Sequence, residues 1–244
     1  MLTKLFFLCN KGFTLAEILI TLGIIGVIAA LTLPAITEDI RGKVLQSQLK
    51  KAYSVMSQAL EQFQNDEEQL PTPENYPASY DGKNSFLDIY SKYFKGNAHC
   101  LRYECSSLNI NGFEDYEKVI AEYRNYPKNN TIGGTGSFKS CLDDGIITVT
   151  DSMLIVFDHG TCIPDRFLLT VDINGINKQP NALGHDFFVF EINPQNGRLI
   201  PAGGIGSYYE NSNKACSVNN SNGSSGAACT YKALNDDNYF KNLP

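Results

Sequence analysis

The stretch Lys11–Pro34, KGFTLAEILITLGIIGVIAALTLP, constrains this chain more than any other part of it. From Phe13 to Leu33 it is mostly apolar and carries one formal charge, Glu17. As an α-helix rising about 1.5 Å per residue it reaches roughly 31 Å, the thickness of a bilayer's hydrocarbon core. An ionised side chain in hydrocarbon is costly, so Glu17 marks a function that a plain anchor does not need. The preceding residues, MLTKLFFLCNKG, hold Lys4 and Lys11 and no acid. Such a flank stays cytosolic under the positive-inside tendency and sends the following body outward. A secretory signal would instead end in a small-x-small site behind the apolar run. Ala29-Ala30-Leu31 is a weak match to one and supplies the alternative processing.

Six of the 7 cysteines, Cys100, Cys105, Cys141, Cys162, Cys216 and Cys229, lie behind this run, with Cys9 ahead of it. An even set in the distal body reads as up to three disulfides in an oxidising compartment, the alternative being free buried thiols. Cys100 and Cys105 close a small loop, or each pairs with Cys141 or Cys162; sequence does not choose. The net charge of -6 gives no broad field for nucleic acid. At 244 residues the chain holds one substantial domain or two small ones beyond the first helix.

Pro34 has no amide hydrogen and predicts a kink. Beyond it Ile36, Ile40, Val44, Leu45, Leu49, Tyr53, Met56, Leu60 and Phe63 make a helical stripe among polar residues, predicting an amphipathic helix to about Asn65 that packs on the body. Residues 66–77 carry three prolines and a run of acids and read as a loop. Short helices are predicted over 84–94 and 112–124. Residues 129–137, NNTIGGTGS, form a flexible loop without the GK[ST] ending of a phosphate-binding loop. Strands are predicted over 145–150, 152–158, 167–173 and 186–192, with a last one starting near 197–200. The order of elements gives an α+β fold: a long N-terminal helix laid across an antiparallel sheet.

Lys11-Gly12-Phe13-Thr14-Leu15-Ala16-Glu17, followed by an apolar run ending at Pro34, resembles the processing site of type IV prepilins and type II secretion pseudopilins. The resemblance covers roughly residues 11–36. It implies a pilin-like fold whose long helix is transmembrane in its first half and amphipathic in its second, packed on a small antiparallel sheet with cysteine-rich loops. It divides the chain into a leader (1–12), a transmembrane assembly helix (13–34), its amphipathic continuation (35–65) and a soluble body (66–244). It further implies cleavage after Gly12, N-methylation of Phe13, an assembly role for Glu17 and a helix kink at Pro34. The implied partners are other pilin or pseudopilin subunits, a prepilin peptidase/methyltransferase, the inner membrane and its assembly machinery. Physically, a free amine at Phe13 lies one helical turn from Glu17, and in a bundle Glu17 neutralises the amine of a neighbour instead. Cys216 and Cys229 bracket SVNNSNGSSGAA, a pairing that resembles the cysteine-closed C-terminal loop of many pilins. The rival class is a membrane-anchored periplasmic or surface adhesion or binding module, including a minor pilin for DNA uptake, that forms no filament body.

Within Val171–Glu191, Asp172, Asn174 and Asp186 flank a Gly- and Asn-rich excursion, an oxygen set that suits a structural calcium. The competing reading is a set of Asx turns around Asn174-Gly175. The three histidines, His99, His159 and His185, form no zinc-ligand spacing, and no nucleophile elbow or HExxH occurs. No enzyme and no other cofactor is expected.

Overall fold

The computed structural model describes residues 12–78, 84–95, 98–101, 116–126, 137–149, 152–160, 162–211, 213–217, 219, 224–241 and 243. Cys9, Cys105 and most of the expected leader and of the expected loop at 129–137 lie outside these residues. Helix α1 spans Leu15–Glu67, and its assignment is unbroken at Pro34. The chain divides into two compact units, one up to Arg41 and one from Gly42 onward.

In the first unit Leu15–Leu33 has a mean hydropathy of 2.3 and none of it is buried. This segment is long and apolar enough to cross a membrane. Its polar side chains are turned back onto the helix: the Thr21 hydroxyl donates to the Glu17 carbonyl at 2.9 Å and that of Thr32 to the Ile28 carbonyl at 2.9 Å. Such back-bonding leaves no hydroxyl unsatisfied in an apolar surrounding.

In the second unit α1 buries Leu45, Leu49, Ala52, Met56, Leu60 and Phe63, each three or four residues after the last. That stripe packs on a sheet of six strands: β1 (Ala98–Leu101), β2 (Gly145–Thr148), β3 (Leu154–Asp158), β4 (Leu168–Asp172), β5 (Phe187–Ile192) and β6 (Leu199–Pro201). The strands run in sequence order and every neighbouring pair is antiparallel. Ile155, Phe157, Leu169, Val171, Phe188 and Phe190 face the helix. The intervening Leu154, Val156, Leu168, Phe187 and Val189 point the other way, as the two-residue period of a strand requires.

That second face is also buried. Tyr116, Val119 and Ile120 of helix α3 (Tyr116–Ala121) cover it together with Tyr123, Ala202, Tyr209, Ala227 and Ala228. The body therefore has three layers, not the single helix-on-sheet contact that the order of elements suggests. Strands buried on both faces lose the apolar/polar alternation, which is why residues 154–157 and 187–190 read as continuous apolar runs. Two further elements complete the unit: α2 (Phe86–Ser91), capped by the Ser85 hydroxyl accepting the Asp88 amide at 3.2 Å, and α4 (Thr230–Asn235). Sequence reading predicts neither β1 nor α4.

Two disulfides fasten the second layer. Cys141–Cys162 ties the short 3-10 helix Ser137–Cys141 to the loop behind β3, and Cys216–Cys229 closes the Ser- and Asn-rich segment before α4. On the chain-entropy account each closure of this length contributes about 3 kcal/mol. Cys100 on β1 is also disulfide-bonded.

Candidate functional site

The N-terminal end of α1 is built by a reciprocal pair of side chains. Thr14, with no helical partner for its own amide, gives that N–H to Glu17 Oε2 at 2.8 Å, and its hydroxyl donates to the same oxygen at 2.9 Å. In return the Glu17 amide donates to Thr14 Oγ1 at 3.3 Å. This is a capping box, which satisfies two of the donors that a helix start leaves orphaned. The expected i,i+4 pairing of Glu17 with a Phe13 amine does not describe the uncut chain, in which the Phe13 nitrogen is an amide. Sequence reading missed Thr14, although T-x-x-E before an apolar run is the signature of such a cap. Gly12, Phe13 and Thr14 precede the helix, and Phe13 is 84% exposed. The segment thus offers an exposed peptide bond outside the helix, followed at once by a capped apolar stretch holding one carboxylate.

Residues 8–33 carry a prokaryotic N-terminal methylation motif. The matched stretch contains Gly12, Phe13, Thr14 and Glu17 and ends where the apolar run ends. The presence of this motif supports a prepilin-type processing signal at the start of the chain. Comparison with curated proteins and with solved structures gives no match.

The second candidate lies at the end of β4. Asp172 Oδ1 accepts the amides of Asn174 and Gly175 at 3.1 and 2.7 Å, and its Oδ2 accepts the Tyr123 hydroxyl at 2.9 Å. Asp186 repeats the device: Oδ1 accepts the Ala182 amide at 2.8 Å, and Oδ2 accepts the Asn181 amide at 3.1 Å and the Asn174 side-chain amide at 3.4 Å. Gly175 sits at φ +88, where a Cβ would meet the Ser152 carbonyl at 2.5 Å, so this turn admits only glycine. The structure brings Asp172, Asn174 and Asp186 together, but all four carboxylate oxygens are met by N–H or O–H donors. That arrangement fits interlocked Asx turns better than a shell for a hard cation, which needs those oxygens for itself.

Burial pushes the Asp172 carboxyl up to about 7, and the charge of Asp186 adds to the shift, while donors from Tyr123, Gly175 and Asn174 oppose it. The folded chain therefore holds a proton that the unfolded chain has released between the ordinary 3.8 and about 7. Stability contributed by this group is fully present below that window and is lost as pH rises through it. Melting curves are expected to fall between about pH 5 and about pH 8 by the equivalent of a few kcal/mol, and Asp172→Asn should flatten the difference. Calcium that restored the melting temperature at the higher pH, with a chelator reversing it, would instead put a cation between the carboxylates.

A cluster that the sequence reading did not single out lies beside Cys141–Cys162, where oxygens of Asp143, Asp144 and Asp158 fall within 4.8 Å of one another. Backbone amides meet two of these residues: His159 donates to Asp144 at 2.7 Å and Gly160 to Asp158 at 3.0 Å. The adjacent Asp143-Asp144 pair was the visible signal, but Asp158 reaches it only through the antiparallel pairing of β2 with β3.

Proposed function

We propose that the chain is a structural subunit of a type IV pilus or a type II secretion pseudopilus. In this reading a prepilin peptidase removes residues 1–12 and methylates Phe13, and the subunit polymerises through residues 13–34. The segment at 35–65 continues the helix into the body, and residues 66–244 face outward from the inner membrane, with the original N-terminus cytosolic. Partners are further subunits, the peptidase and the inner-membrane assembly machinery. The observation that carries the reading is the methylation motif at 8–33, whose single carboxylate sits on the first turn of a helix that is otherwise uncharged as far as Leu33.

The geometry of that turn supports the order of events. The Gly12–Phe13 bond precedes the cap, and the first helical hydrogen bond runs from the Ile18 amide to the Thr14 carbonyl. Cleavage there breaks none of the bonds that start the helix. It does create an amine at the positive end of the helix dipole, which is unfavourable unless a carboxylate lies close. Glu17 of the same or a neighbouring chain supplies one.

Intact mass of the membrane-extracted protein tests processing: loss of residues 1–12 plus one methyl group is expected. A mass retaining Gly12, or one showing a cut near Ala30, would overturn the subunit reading in favour of an anchored or released binding module.

A further inference from the structure

A buried ion pair such as Glu191–Arg166 seldom adds stability over a well-packed apolar pair of the same size. Here both partners also hold the backbone of one loop. Glu191 Oε2 accepts the Tyr208 amide at 2.7 Å, and Arg166 Nη1 donates to the Gly206 carbonyl at 3.3 Å. The loop's own bonds complete the frame. The Gly203 amide donates to Ser207 Oγ at 3.1 Å, the Ser207 amide to the Gly204 carbonyl at 3.1 Å and the Gly206 amide to Glu210 Oε2 at 2.7 Å. The segment after β6 is a braced turn, not a slack connection.

What this brace holds out into solvent is apolar. Ile205 at the tip is 83% exposed and Tyr208 is 60% exposed. The ring of Tyr231, 43% exposed, lies against Gly204, where an added Cβ would meet it at 2.8 Å. Residues 201–209, PAGGIGSYY, carry no charge. An aliphatic flanked by two tyrosines on a preformed turn has the composition of an interface hot spot whose ordering cost is already met. The three side chains offer roughly 400 Å², about half of what each partner of a stable complex buries. A contact of that size holds only between molecules that something else keeps together. The exposed apolar segment Leu15–Leu33 is such a tether between copies of this chain, so the area argues for a second copy and against a free partner.

We propose that the Ile205 tip of one chain seats in the groove between α1 and the β5–β6 turn of the next copy. That groove has a volume of about 1070 Å³; the buried Leu60 and Leu199 line it, with neutral amides such as Gln58 and Asn196 around them. An uncharged tip suits such a lining: Ile205 meets the apolar part and the tyrosine hydroxyls meet the amides. Glu210, whose carboxylate sits at the tip, faces Arg198, the one base among the residues lining the groove. No residue of the tip lines the groove of its own chain. Leu199 packs on the helix side of the sheet, whereas Ala202 and Tyr209 pack on the other, so each chain keeps both halves of the contact available. Two different patches make a heterologous contact, which repeats along a fibre and does not end in a dimer. The inference rests on the subunit reading and deepens it: the apolar helices gather the copies, and the tip fixes how neighbouring bodies sit.

Photo-crosslinking in sheared fibres of the full chain tests it, with p-benzoylphenylalanine in place of Ile205 or, in a second variant, of Tyr208. Adducts of twice the subunit mass are expected, joined to peptides from 53–65 or 196–199. Ile205→Asp should lower fibre yield about tenfold, the effect of losing one hot-spot side chain. Its melting temperature should match the wild type's, because the side chain is exposed. Adducts joined elsewhere, confined to one chain or made with another protein overturn the pairing, as does wild-type fibre yield with Ile205→Asp; each leaves the subunit reading standing. A processed wild-type chain that forms no fibre overturns both.

Discussion

Glu17→Gln is expected to abolish incorporation into fibres while leaving membrane insertion and the start of the helix unchanged. Glutamine at this position keeps the reciprocal bonds of the capping box, because its side-chain oxygen still accepts from Thr14. What it removes is the charge, so the amine created at Phe13 is left uncompensated in a low-dielectric bundle. Thr14→Ala does the converse: it costs about 1 kcal/mol of cap stability but keeps the carboxylate. A partial loss of assembly is expected there, against a complete one for Glu17→Gln. Immunoblots of sheared fibres and of membranes measure both variants. Wild-type fibre levels with Glu17→Gln would show that the carboxylate serves the helix cap alone, and the subunit reading would lose its physical support.

A second large effect is expected deep in the body. Glu191 on β5 is fully buried on the face away from α1, where its Oε2 accepts Arg166 Nη1 at 2.7 Å and the Tyr208 amide at 2.7 Å. Burial raises its carboxyl, and Tyr208 and Arg166 pull it back. Glu191→Ala strands a half-buried guanidinium and an amide, at a cost of about 3–5 kcal/mol. For a body of this size the melting temperature should fall by roughly 10 °C. The exposed pair Lys139–Glu117, also 2.7 Å apart, makes the control. Glu117→Ala should cost under about 1 kcal/mol, because water already screens both charges. Thermal melts of the two variants in detergent, disulfides intact, decide whether burial sets the difference; equal losses would show that it does not.

Much of the helix was legible in the sequence because its signal is periodic and local: Leu45, Leu49, Met56, Leu60 and Phe63 declare a face without reference to the rest of the chain. The central strands were legible from their runs of β-branched and aromatic residues. Strand β1 was not, because Ala-His-Cys-Leu has no strand signature and owes its state to pairing with residues 145–148, far along the chain. Helix α4 was hidden by the Gly-, Ser- and Asn-rich sequence ahead of it, whose ends the Cys216–Cys229 bridge joins. At the candidate site the residues were legible but one contact was not. Glu17 stood out as a lone charge, but its bonds to Thr14 depend on where the helix starts, which the apolar run alone does not fix. Glu191 on β5 gave no warning, since its ion pair comes from Arg166 in the loop before β4.

Within the second unit α1 is already buried at Gly42, where an added Cβ would lie 3.3 Å from the Cβ and carbonyl oxygen of Phe240, and Gln46 one turn on donates to Asp237 at 3.2 Å. The last turns of the chain therefore grip the helix at the rim of the body. A glycine at the grip lets the two backbones close on each other, so any larger residue at position 42 would push the last turns of the chain off the helix.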